Sequence, residues 1–147
     1  MKHAIQSIGR WSITYFYWAF LTKSLIASEP AALVGGNENI TWMFDPSAML
    51  PSFFLHLTSY AILAGLLVWC IHTFQWDRIG LWLGLAVLHA IGFEYLQYYI
   101  PKRWPYWLDA LANCMGIFLV LAVITAFYQR KLNQKIRVET PLRRTGT

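Results

Sequence analysis

Charge is scarce in this chain. Only 13% of its 147 residues are Asp, Glu, Lys or Arg, about half the ~25% of an ordinary soluble domain. The sequence is also 57% hydrophobic and 17% aromatic. So little charge cannot cover the surface of a water-soluble globule of this size, and the chain belongs in a bilayer. Cysteine is almost absent. Cys70 and Cys114 both lie in apolar runs, without a C-x-x-C or Cys/His grouping. Neither a zinc site nor a disulfide is expected, and small apolar packing residues are the simpler reading. Signatures of familiar chemistry are missing too: there is no nucleophile elbow, H-E-x-x-H helix or P-loop. No metal or cofactor is expected. The formal net charge of +5 does not imply nucleic acid. The basic residues sit at the chain ends and in short joins, where membrane topology is set.

What the sequence does contain is long apolar runs. Residues 53–74, 79–100 and 107–128 each supply the about 20 residues that a ~30 Å hydrocarbon core requires. A fourth run, 11–27, is shorter and holds Lys23. The joins 75–78 and 101–106 are short, which makes their flanking helices antiparallel neighbours. The expected fold is all-α: a polytopic membrane protein with four transmembrane helices in an antiparallel bundle over residues 11–128. Residues 1–10 precede it and a basic tail, 129–147, follows. Between the first two runs lie Pro30, Gly35, Gly36, Asn37, Asn39, Pro46 and Pro51, with Glu29, Glu38 and Asp45. Such a density of turn formers predicts a loop over 28–52. An alternative makes the first run a cleaved signal peptide, with Lys2 and Arg10 as its charged end. Lys23 interrupts that signal core and favours a retained helix.

Lys and Arg set the orientation. With the N-terminus in the cytoplasm, the inside holds Lys2, Arg10, Arg78, Arg130, Lys131, Lys135, Arg137, Arg143 and Arg144, and the outside only Lys102 and Arg103. Nine against two places both termini in the cytoplasm.

A few polar residues remain inside the apolar runs. Glu94, Gln97, Pro101, Arg103, Asp109, Asn113 and Gly116 lie within GFEYLQYYIPKRWPYWLDALANCMGI, and His56 and Tyr60 lie within FFLHLTSYAIL. Carboxylates and amides are costly at membrane depth and are seldom placed there without a use. Glu94 and Gln97 are spaced i, i+3. Asp109, Asn113 and Gly116 follow i, i+4, i+7, and His56 and Tyr60 follow i, i+4, so each set shares one helix face. At ~1.5 Å per residue, Glu94 and Asn113 lie about 9 Å below the outer interface. Asp109 and His56 lie nearer to it, and Lys23 is at a similar level on the first helix. The expected arrangement is a small polar pocket open to the outside, walled by the second, third and fourth helices. Arg103 can pair with a carboxylate or clamp a ligand phosphate in two places. Pro101 restricts the join, and Gly116 lets the third helix approach closely. The small pairs Gly80/Gly84 and Ala112/Gly116 are expected to pack within the bundle. His89, five residues before Glu94, is expected to point away from that carboxylate. A purely structural reading, with ion pairs and hydrogen bonds locking helices together, stays open beside the binding one.

The run E-x2-Q-x3-P-x-R-x5-D-x3-N-x2-G, from Glu94 to Gly116, resembles the signature of the VanZ-like family of bacterial membrane proteins. The family's namesake is associated with resistance to teicoplanin. The His56/Tyr60 pair extends the resemblance to about residues 50–125. Ser52 and Phe53 stand where the family commonly has Asp-Lys. The resemblance implies a multi-pass protein of the bacterial cytoplasmic membrane in a cell-envelope or glycopeptide-tolerance setting. The expected function is binding of a lipid or lipid-linked envelope headgroup by His56, Tyr60, Glu94, Gln97, Arg103, Asp109 and Asn113. One alternative is an enzyme on that headgroup, with Glu94 or Asp109 as acid or base, His56 as partner and Arg103 as clamp. Another is a structural subunit with membrane protein partners.

Overall fold

The computed structural model describes residues 2–27, 46–71, 75–100 and 106–139. They form four helices: α1 (Lys2–Ile26), α2 (Pro46–Cys70), α3 (Trp76–Gln97) and α4 (Trp107–Glu139). Three of them, α2, α3 and α4, are long and apolar enough to cross a membrane. α1 is as long as α2, at 25 residues, but carries Arg10, Lys23 and several hydroxyls and is not among the three. The four-helix, all-α architecture is therefore as expected, but three helices rather than four are long and apolar enough to cross a membrane among the described residues.

The distribution of polarity supports a bilayer. Phe16, Leu55, Leu81, Leu88 and Phe118 face outward, whereas Thr14, Glu94, Gln97 and Asn113 are buried. No more than 28% of the residues in any candidate span are buried inside the protein. A water-soluble bundle hides its apolar face, and this one displays it.

Pairings along the helices fix their directions. Arg10 on α1 meets Trp69 on α2, and Tyr17 meets Ser59, so α1 and α2 are antiparallel. Trp11 packs on Trp82 and Trp18 on His89, so α1 and α3 are parallel. The most extensive interface joins α2 and α4. Because α3 returns the chain between them, this is a parallel pair. α2 and α3 each touch all three other helices, and α1 and α4 do not meet among the described residues. The core is Leu21 and Leu25 of α1, Tyr60, Leu63, Ala64 and Leu67 of α2, Ile79, Leu83, Ala86 and Ala90 of α3, and Ile117 of α4.

Several expectations need correction. Gly116 faces α2, not α3. A Cβ there would collide with the Leu57 carbonyl oxygen and lie 2.9 Å from the Ala61 nitrogen, so the missing side chain is what permits the α2/α4 contact. Gly80 and Gly84 do not pack within the bundle. Both are on the exposed side of α3, with nothing near their Cβ positions. α2 starts at Pro46, inside the expected loop, because proline suits the first turn of a helix; Pro51 is accommodated a turn further on. α4 continues through the expected tail to Glu139. The sequence turns polar near residue 129, and the helix goes on. Its 33 residues measure about 50 Å, well beyond a ~30 Å core.

Candidate functional site

The interior face of α3 is the stripe Ile79, Leu83, Ala86, Ala90, Glu94 and Gln97, spaced three and four apart as one helix face demands. It is apolar for most of its length and turns polar in its last two turns. On α4, Asn113 and Gly116 are buried and Asp109 is half-buried, with Ala112 and Ile117 completing the inward face. α2 begins at the same end of the bundle and brings Ser52 and His56 to this level.

These side chains form one cluster. Asn113 Nδ2 donates to Glu94 Oε1 at 3.3 Å. Its Oδ1 lies 3.0 Å from His56 Nδ1, and His56 Nδ1 is 3.5 Å from Glu94 Oε1. On the other side of the ring, His56 Nε2 is 3.7 Å from Asp109 Oδ2. Ser52 Oγ donates to Asp109 Oδ1 at 3.5 Å. Burial is graded: Asn113 is 0% and Glu94 4% exposed, while the side chains of His56 and Asp109 are 15% and 19% exposed. The cluster is sealed at Glu94 and Asn113 and reaches the surface at His56 and Asp109.

The hydrogen bonds determine one another. A carboxylate only accepts, so the Asn113 edge facing Glu94 is its NH2. That leaves Asn113 Oδ1 toward His56, and His56 Nδ1 must donate. In the neutral ring, Nε2 is then a lone pair facing Asp109. Glu94 thus sets the His56 tautomer through Asn113, from a different helix in each case.

Tyr60 and His89 form a second network one turn deeper. Tyr60 is fully buried, and its hydroxyl lies 2.8 Å from His89 Nδ1. His89 Nε2 lies 2.9 Å from Thr22 Oγ1, and the Thr22 hydroxyl donates to the Trp18 carbonyl at 2.8 Å. With that proton committed, Thr22 accepts from His89 Nε2–H and Tyr60 donates to Nδ1. The network ties α1, α2 and α3 together with every member satisfied. A third link, near the opposite end, joins Thr14 and the buried thiol of Cys70 at 3.1 Å. Cys70 and Cys114 are both free thiols.

Of the residues expected at the site, His56, Glu94, Asp109 and Asn113 are brought into direct contact. Tyr60 is instead the partner of His89. Gln97 is 3% exposed, and its Nε2 has no hydrogen-bond partner among the described residues. Lys23 is exposed and is not drawn into the cluster. Pro101 and Arg103 lie outside the described residues. Sequence reasoning undervalued His89 and did not single out Thr22. Their signal was the shared depth of a threonine and a histidine on separate helices. Among the described residues, no group of three or more His, Cys, Asp or Glu is placed to hold a metal ion. No protein-family model, curated protein or solved structure matches the chain, so the site rests on its own geometry.

Proposed function

We propose that this is a multi-pass protein of a bacterial cytoplasmic membrane, with α1 as a fourth span, both termini cytoplasmic and the His56 cluster near the extracytoplasmic face. In this reading the cluster binds the polar headgroup of a lipid or a lipid-linked envelope precursor. The observation that carries it is the graded cluster itself. Three helices converge His56, Glu94, Asp109 and Asn113, with a buried floor and a rim that reaches the surface. A structural lock gains nothing from leaving its outermost contact, His56 Nε2 to Asp109 Oδ2, at 3.7 Å and partly exposed. A site for a polar ligand needs such an opening. The resemblance of residues 50–125 to the VanZ-like family adds a setting, cell-envelope chemistry and tolerance of glycopeptides such as teicoplanin.

The test is native mass spectrometry of the detergent-purified protein, with folded yield measured in parallel. Glu94→Gln and Asp109→Asn are expected to lose a co-purified lipid at near-normal yield. Collapse of yield in both variants would instead assign the cluster to architecture, as in a structural subunit. A second reading follows from His56 lying between two carboxylates, an arrangement able to move a proton. An enzyme acting on the same headgroup would show lipid turnover that His56→Gln abolishes at normal folded yield.

A further inference from the structure

We infer that the headgroup recognised at the rim carries a primary ammonium, and that His56 Nε2 and Asp109 Oδ2 are its receptors; this deepens the headgroup reading and rests on it. The Glu94 carboxylate orients the Asn113 amide, and the amide oxygen claims the Nδ1 proton of His56. With Nδ1 as the donor, the Nε2 edge of the ring is the one that faces Asp109. In the neutral tautomer two acceptors face each other there at 3.7 Å, too far apart for a hydrogen bond. A group with several N–H donors and positive charge converts that repulsion into two charge-assisted hydrogen bonds. Ser52 Oγ, donating to the other Asp109 oxygen, leaves lone pairs on the same rim for a third.

Charge and donor count select the ligand. Asp109, the carboxylate at the rim, disfavours an anion at this point. A quaternary ammonium has the charge but no proton to give. A primary ammonium has both, with three donors. The Gln97 side-chain nitrogen lies one turn beyond Glu94 on the same α3 face, buried and without a partner among the described residues. It is an independent sign that this end of the bundle is incomplete, and it suits an acceptor oxygen on the same headgroup.

The experiment uses the full chain in nanodiscs and a lipid series with identical acyl chains: phosphatidylethanolamine, its N-methyl and N,N-dimethyl forms, phosphatidylcholine and phosphatidylglycerol. Bound lipid is read by native mass spectrometry after competition. Retention is expected to fall with each methyl, by about tenfold from the primary to the quaternary amine. Asp109→Asn is expected to flatten the series. The wild-type series stands by itself if that variant fails to fold. Soluble ethanolamine forms a second arm. Displacement of the lipid by it assigns recognition to the ammonium from any source, and resistance assigns it to the amine within a lipid. Equal retention of the ethanolamine and choline lipids would overturn the inference. A preference for phosphatidylglycerol would also overturn it but leave the headgroup site standing. Retention of no lipid would remove both.

Discussion

Replacing Asn113 by leucine would leave the Nδ1–H of His56 and the carboxylate of Glu94 without the amide that now connects them. Both groups are in the protein interior, where a polar partner lost is a desolvated group exposed to nothing. Interhelical hydrogen bonds in membranes average about 0.6 kcal/mol and reach about 1.7. Two are removed here, one of them to a charged group, so a loss of about 2 kcal/mol is expected. It would appear in thermal unfolding in detergent. His56→Leu in the Asn113→Leu background should cost less than His56→Leu alone, because the two share a bond. Additive losses would mean that the bond contributes nothing. The same logic holds for the deeper network. Tyr60→Phe removes the donor to His89 Nδ1 and Thr22→Val removes the acceptor at Nε2. Each is expected to cost about 1 kcal/mol. The pair should be non-additive because both act through one imidazole.

At the scale of the element, the decisive contact is the parallel α2/α4 seam. Gly116 lies against the backbone of Leu57 and Ala61, and backbone cannot step aside as a flexible side chain can. Gly116→Ala should force the two helices apart and destabilise the bundle by about 1–3 kcal/mol. Gly84→Ala, on the open side of α3, should be harmless. Folded yield of the two variants in detergent distinguishes them, and equal tolerance would mean that the seam is looser than its geometry. The contrast also shows what the sequence could and could not tell. Spacing within one helix is a local property, so the Glu94/Gln97 and Asp109/Asn113/Gly116 faces were legible from periodicity. So were the three apolar spans. Which helix Gly116 faces, and that Tyr60 serves His89 rather than the Glu94 cluster, depend on register between helices. No local spacing encodes that. The end of α4 was missed for another reason. Hydropathy reports lipid contact, whereas Gln129–Glu139 is helical because Lys, Arg, Gln and Leu are good helix formers.

For the whole molecule, aromatic residues mark two levels. Trp76 and Tyr128 meet at one end of the bundle. Tyr95, Tyr98, Tyr99, Tyr106 and Trp107 are exposed at the other. The 21 steps from Trp107 to Tyr128 rise about 32 Å, close to the thickness of a hydrocarbon core with aromatic belts at its faces. Cations separate across this slab. Among the described residues, Arg78, Arg130, Lys131 and Lys135 all lie at or beyond the Trp76/Tyr128 level, and the proposed topology puts that end in the cytoplasm by the positive-inside rule. In that proposed topology the His56 cluster is extracytoplasmic, on the side where an envelope ligand would be met. A cysteine-labelling experiment decides it. With Cys70 and Cys114 replaced by alanine, Tyr106→Cys should react with a membrane-impermeant maleimide in intact cells. Asp77→Cys and Lys135→Cys should react only after permeabilisation. The reverse pattern would turn the protein over and put the cluster on the cytoplasmic face. An outer-leaflet headgroup could not then be its ligand, although an ammonium of the inner leaflet still could.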